Sequence, residues 1–181
     1  MLRNKQPLGL YQTDLRWCKS PYTNPRMNSR TQTIGSSGCG LVSAAMMLNT
    51  HRGLKIIPPE LAKLSVDHGF RTDNEGTSWD FFPWIAKRYS LRLEQTRDIQ
   101  IVKSALKENA LIICSMTRRS STHRGYFTSS GHFILLWGQD DKGRFYANDP
   151  ISKWRTNVPV DEDIFLHECR QYFVFYKPKL K

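Results

Sequence analysis

The sequence predicts an α+β domain of two lobes, with helices in its first half and antiparallel strands in its second. Three observations lead there. Between residues 39 and 109, four segments repeat apolar residues at helical spacing. From residue 110 onward, short apolar runs separated by turn signals take over. Two of those runs are joined by Asp140-Asp141-Lys142-Gly143, a hairpin turn that sets them antiparallel. Helices followed by strands make a layered α+β domain, and a cleft between the lobes lets a helix residue face a strand residue.

The elements follow in order. Residues 1–35 read as a loop-rich arm with Pro7, Pro21 and Pro25 among many Ser, Thr and Asn. A helix from Cys39 to about His51 follows, with Ser36 or Ser37 available as N-cap and Val42, Ala45, Met46 and Leu48 toward a core. Pro58-Pro59-Glu60 opens a second helix through about His68, with proline in its first turn and Gly69 at its end. Glu75-Gly76-Thr77 caps a third, Ser78 to about Tyr89, with Trp79, Phe82, Trp84 and Ile85 on its apolar face. Leu91–Glu94 reads as a short strand. Asp98 caps a helix to about Asn109 that carries Ile101, Val102, Ala105 and Leu106. Strands are expected at about 110–116, 132–139, 143–148 and 171–176. No internal repeat is present, and residues 1–181 read as one domain.

Composition narrows the function. With 181 residues, 39% apolar and 12% aromatic, the chain is long enough and greasy enough to bury a core. No run of about 18 apolar residues provides a membrane span. Met1–Pro7 has no apolar stretch of the signal-peptide kind, so the expected location is the cytoplasm, or outside after lysis or a non-classical route. Four cysteines, at 18, 39, 114 and 169, form no Cys-x-x-Cys pair, which suits a reducing compartment and predicts neither disulfide framework nor zinc knuckle. Cys114 lies in an apolar run and reads as core; Cys18 and Cys169 read as structural. The net charge is +11. Basic residues gather at Arg16–Lys19, at Arg26 and Arg30, at Arg118-Arg119 with His123-Arg124, and in a tail over residues 177–181. Such a surface suits an anionic partner, or simply keeps the protein in solution. No nucleic-acid motif accompanies it, and nucleic acid is not predicted.

The segment with the most chemistry is Ser36-Ser37-Gly38-Cys39-Gly40. It puts a cysteine at the first turn of a helix, where free N–H groups and the positive dipole end favour thiolate over thiol. Taken alone it equally describes a small buried residue opening a core helix. A base and an orienting group appear downstream. His132 stands at the start of the strand Gly131–Trp137, and Asp149 follows Asn148 at the end of the next strand. If those strands form a hairpin, His132 and Asp149 meet at the same end. An imidazole that takes a thiol proton on one nitrogen needs a partner on the other. Each residue by itself also reads as an ordinary core histidine or turn aspartate.

Five segments in order carry a resemblance: Tyr11–Trp17, Thr33–Gly40, Gly76–Phe82, Gly131–Ile134 and Asn148–Pro150. Together they resemble the papain-superfamily cysteine peptidases of the bacteriocin-processing type, in the bacterial and phage group of stand-alone domains. The resemblance implies a papain-like fold and a peptidase acting through an acyl-enzyme, without cofactor or metal. It implies Cys39 as nucleophile, His132 as general base and acid, and Asp149 as the group that orients the imidazole. It implies Gln12 as the side chain that joins the backbone N–H of Cys39 in an oxyanion hole. One departure stands out: Leu41-Val42 follow Gly40 where the family usually has Pro-Thr. The implied substrates are leader peptides, proteins or peptidoglycan stem peptides. Two alternatives share the fold: a binding or assembly module without turnover, and a transferase passing the acyl group to an acceptor other than water. The basic loop 117–130 is expected to border the cleft and shape substrate choice, and Trp79 and Trp137 to pack in the core.

Overall fold

In a computed structural model the described residues are 5–24, 32–73 and 76–178. Pro25, Arg26, Arg30, Glu75 and the end of the basic tail, with Lys179 and Lys181, lie outside them. Three helices come first: α1 (Ile34–Ser37), α2 (Cys39–Arg52) and α3 (Pro58–Asp67). A small hairpin, β1 (Arg71–Thr72) with β2 (Gly76–Thr77), leads to α4 (Phe81–Arg88). Then follow β3 (Arg92–Thr96), α5 (Ile99–Lys107), β4 (Leu111–Thr117), β5 (Gly131–Gln139), β6 (Phe145–Asn148), α6 (Glu162–Glu168) and β7 (Cys169–Tyr176).

The five longer strands form one antiparallel sheet in the order β3-β7-β4-β5-β6. Side chains alternate across a strand, so each strand feeds two cores. Ile113, Phe133, Leu135, Trp137, Phe173 and Phe175 join the core built with α2, α3 and α4. Ile112, Cys114, Ile134, Leu136, Tyr172 and Val174 join a second core with α5 and α6. Burial on both faces is why the central strands read as unbroken apolar runs rather than alternating ones.

Helix α2 is the centre of the first core: every residue from Gly40 to Leu48 is buried. Its start differs from the expected capping. Ser36 and Ser37 are not its N-cap; they belong to α1, whose cap is Thr33. The Ser36 N–H donates to Thr33 Oγ1, and Ser36 Oγ takes the Thr33 N–H, a reciprocal box that winds one turn before the chain reaches Gly38. Gly38 then stands as the N-cap of α2 without a side-chain bond.

The third expected helix also begins later, at Phe81. Gly76 and Thr77 are drawn into the hairpin with Arg71 and Thr72, which leaves Ser78–Asp80 as the turn into α4. Asp98 caps α5 as expected, its Oδ1 accepting the Gln100 N–H at 2.8 Å. The hairpin β5–β6 forms, with Gly143 at φ +79° in its turn. The N-terminal arm is pinned at several points. Tyr22 is buried with its hydroxyl 2.8 Å from both Ser65 Oγ and Thr77 Oγ1, and Asn148 Nδ2 donates to the Pro7 carbonyl.

Gly40 governs how close α2 comes to the sheet. A Cβ built there meets Thr77 Cβ at 2.9 Å and Phe133 Cδ2 at 3.2 Å. Gly40→Ala is therefore expected to lower stability by about 1–2 kcal/mol, overpacking outweighing the better helix propensity of alanine. Urea unfolding checks this: an unchanged or higher midpoint refutes the close approach.

Candidate active site

The start of α2 delivers the thiol. Cys39 is its first residue, half-buried, and faces the end of the sheet where β5 begins. Burial alone raises a thiol pKa. Here it is outweighed by a hydrogen bond from His132, the charge of that imidazole, and the N–H groups of Phe133 and Gly40, so Cys39 lies below its usual value.

His132 is the second residue of β5 and is 8% exposed. Its Nε2 stands 2.7 Å from Asp149 Oδ1. That leaves Nδ1 for the sulfur. Burial opposes the imidazolium, but the bonds to Asp149 and Cys39 prevail and raise the pKa to about 9. Both shifts favour the pair as thiolate and imidazolium, the imidazolium carrying a hydrogen on each ring nitrogen.

Asp149 follows β6 and is fully buried. Burial pushes its carboxyl up, and four stabilising contacts pull it lower still: the His132 hydrogen bond and charge, the Ile151 N–H and Arg155. The Ile151 N–H donates to Oδ1 at 3.0 Å, and Arg155 Nε donates to Oδ2 at 2.7 Å. No lone pair facing the imidazole is left to wander. Hairpin register accounts for the meeting, because Leu135 pairs with Asn148 and so sets the start of β5 beside the end of β6.

Gln12 sits where two of these segments meet. Its backbone N–H donates to the Pro150 carbonyl at 2.8 Å, next to Asp149. Its buried side-chain Nε2 donates to the Gly35 carbonyl at 2.7 Å, on the approach to Cys39, while Oε1 has no hydrogen-bond partner. Unlike Cys39 and His132, Gln12 is not among the residues that line the cleft. The structure therefore brings Cys39, His132 and Asp149 into one chain of contacts and ties Gln12 to the segments that lead into Cys39 and out of Asp149.

The cleft around Cys39 measures about 1000 Å³. Its walls carry many hydroxyls, among them Ser37, Thr77, Ser115 and Ser130. Trp79 lines it rather than packing wholly in the core, its Nε1 donating to Ser115 Oγ, whereas Trp137 is buried. Part of the 117–130 loop borders it, through Thr117, Arg118, Ser129 and Ser130. Arg119 turns away to Asp163 and Glu168.

Several residues here carried no local signal in the sequence. Gln32 lines the cleft, and its Oε1 accepts from Ser37 Oγ and from the Arg71 guanidinium. Arg71 is 1% exposed and further bonded to the carbonyls of Tyr22, Thr72 and Gly76. Arg170 joins the wall from β7. Among the described residues no three His, Cys, Asp or Glu side chains gather to hold a metal ion, and no helix is long and apolar enough to cross a membrane.

The comparisons with known proteins agree with this architecture. A C39-like peptidase structure from Bacillus anthracis aligns with a TM-score of 0.56 at 16% identity, covering 80% of this chain and 90% of that one. The peptidase domain of Streptococcus ComA, a bifunctional transporter of a quorum-sensing pathway, aligns at 0.58 and 17% identity, covering 79% and 93%. A double-glycine-motif protease from an AMS/PCAT transporter, solved with a leader peptide, aligns at 0.51 and 22%, covering 77% and 84%. These likenesses show the papain-like fold of C39 peptidase domains. No curated protein matches the chain. The model of the Peptidase_C39-like family matches residues 20–176, a span that takes in Cys39, His132 and Asp149 and leaves Gln12 outside it. The chain belongs to the Peptidase_C39-like family.

Proposed function

We propose that this protein is a cysteine peptidase that hydrolyses an amide bond through an acyl-enzyme on Cys39. The observation that carries the reading is the chain of contacts from sulfur to imidazole to buried carboxylate, in a cleft wide enough for a peptide. The leader peptide bound to the double-glycine-motif protease supports a peptide as substrate.

The steps follow from the protonation states. The Cys39 thiolate attacks the carbonyl carbon, and its electron pair becomes the new C–S bond. The carbonyl π electrons move to oxygen. That oxyanion is held by the Cys39 backbone N–H and by the Gln12 amide, which has a second N–H beyond the one on Gly35. His132 gives the proton on Nδ1 to the leaving nitrogen, the C–N bond breaks, and a thioester remains. Neutral His132 then takes a proton from water as the oxygen attacks the thioester. Collapse of the second tetrahedral species expels the thiolate, and Asp149 steadies the imidazolium that re-forms.

Three outcomes test this. Rates of Cys39 alkylation by iodoacetamide are expected to rise below the usual thiol range, about 8.5, and His132→Ala to abolish that advantage. If mass spectrometry finds all four cysteines alkylated alike at each pH, the nucleophile assignment falls. Peptide turnover is expected to decline as pH rises through about 9, where His132 loses its proton. Asp149→Asn removes the charge that supports imidazolium, so the alkaline limb moves to lower pH; an unmoved limb contradicts the role of Asp149. Gln12→Ala is expected to cut kcat about 100- to 1000-fold with little change in KM, the cost of one lost oxyanion donor. A change confined to KM, or none, removes Gln12 from the oxyanion hole.

A further inference from the structure

The cleft has an electrical character that the catalytic reading does not require. Among the described residues its charged lining residues other than His132 are Arg118 and Arg170, and no aspartate or glutamate lines it. Neither arginine has a carboxylate partner among the described residues. Both are exposed. Arg118 follows the end of β4, next to Arg119, which is tied to Asp163 at 2.7 Å and reaches Glu168 at 3.6 Å. Glu168 is itself buried and accepts the Tyr126 N–H at 2.6 Å, so the loop is fastened a second time. Those contacts also occupy the carboxylates of Asp163 and Glu168. Arg170, at the start of β7, lays its guanidinium 5.5 Å from the centre of the Trp79 ring, which pre-orients it over the other wall.

The floor adds donors. Gln32 has its Oε1 fixed by Arg71 and Ser37, so the NH₂ end is the one left to a ligand. Arg71 brings a third cation behind it, bonded to carbonyls rather than ion-paired. The ends of β4, β5 and β7 lie together, since Met116 pairs with both His132 and Cys169. The two exposed arginines therefore line the same cleft as Cys39 and His132.

We propose that this cleft selects acidic peptides, with Arg118 and Arg170 receiving Asp or Glu side chains on residues that flank the cleaved bond. The proposal rests on the peptidase reading for the meaning of "cleaved", but not for the anion preference itself. A peptide is favoured over a nucleic acid because the cations stand singly in the groove, without a platform of stacked aromatics.

The test uses the full chain with three probes. The first is a set of fluorogenic peptides carrying Glu, Gln or Lys at each position in turn. Glu is expected to be cleaved at least tenfold faster than Lys at one or more positions, an advantage that Arg118→Gln and Arg170→Gln each reduce about fivefold and that 1 M salt largely removes. Equal rates for Glu, Gln and Lys at every position overturn the proposal and leave the peptidase reading standing. The second probe is the rate ratio of iodoacetate to iodoacetamide at Cys39, which needs no turnover. The ratio is expected to fall severalfold in the double variant; an unchanged ratio overturns the proposal. The third is fluorescence anisotropy of the same peptides on Cys39→Ala. If no peptide is cleaved, the peptidase reading fails, and tighter binding of Glu than Lys peptides still upholds the anion preference. A single-stranded oligonucleotide that displaces a bound Glu peptide at equal or lower charge concentration overturns it.

Discussion

The site depends on the closeness of one helix to one strand. Helix α2 and strand β5 are remote in sequence, and nothing but packing brings the sulfur of one to the imidazole of the other. That packing is made by residues with no chemistry of their own. Gly40 lets the helix backbone settle against Thr77 and Phe133, and the fully buried run from Leu41 to Leu48 holds it there. A side chain larger than hydrogen at residue 40 forces either the first turn of α2, which carries Cys39, or Thr77 and Phe133 to give way. A thiol next to such a contact is positioned by the core rather than by a loop.

Electrostatics then completes what packing begins. A thiolate and an imidazolium in a half-buried site each lose hydration, a cost that only the partner and fixed dipoles recover. The Cys39 sulfur has the N–H groups of Gly40 and Phe133, and the imidazole has Asp149. Asp149 would itself be costly to bury. Arg155 and the Ile151 N–H hold its oxygens, and through the chain's own Asp149 N–H the segment is tied to Thr156 as well. The order of dependence runs outward: thiolate on imidazolium, imidazolium on carboxylate, carboxylate on a guanidinium at the surface.

Much of this was legible in the sequence, and the reasons for what was not are physical. Long periodic segments announced themselves: α2, α3 and α5 lie within a few residues of their expected bounds, and Asp98 caps as its position suggests. The turn at Asp140–Gly143 set β5 against β6, and with it His132 against Asp149. What failed was short or non-local. A four-residue helix such as α1 has no period to detect, so Ser36 and Ser37 were misread as caps of the longer helix. Gly76-Thr77 looked like a helix entry because its strand partner, Arg71-Thr72, is defined only by tertiary pairing. Helix α6, seven residues long, was not anticipated. Arg71, Arg155 and Arg119 are indistinguishable from solvated cations until their carbonyl and carboxylate partners, distant in sequence, are seen. Gln12 entered only through the family resemblance, because nothing in its surroundings sets it apart from any polar residue of an arm.

The cations near the cleft divide by burial into two kinds with different work. Arg71 is sealed from water. Burial opposes its charge while Tyr22, Asp73 and Cys39 support it. A cation held there favours thiolate whatever substrate is present. Arg118 and Arg170 are exposed, and their fields at the sulfur are damped by solvent and salt over a Debye length of about 8 Å. Their effect is strongest on a ligand that displaces that solvent and puts a carboxylate directly against them. On the proposed reading the same sign of charge serves reactivity when buried and choice of partner when exposed, so changes in the outer pair would retune selectivity without dismantling the ion pair within.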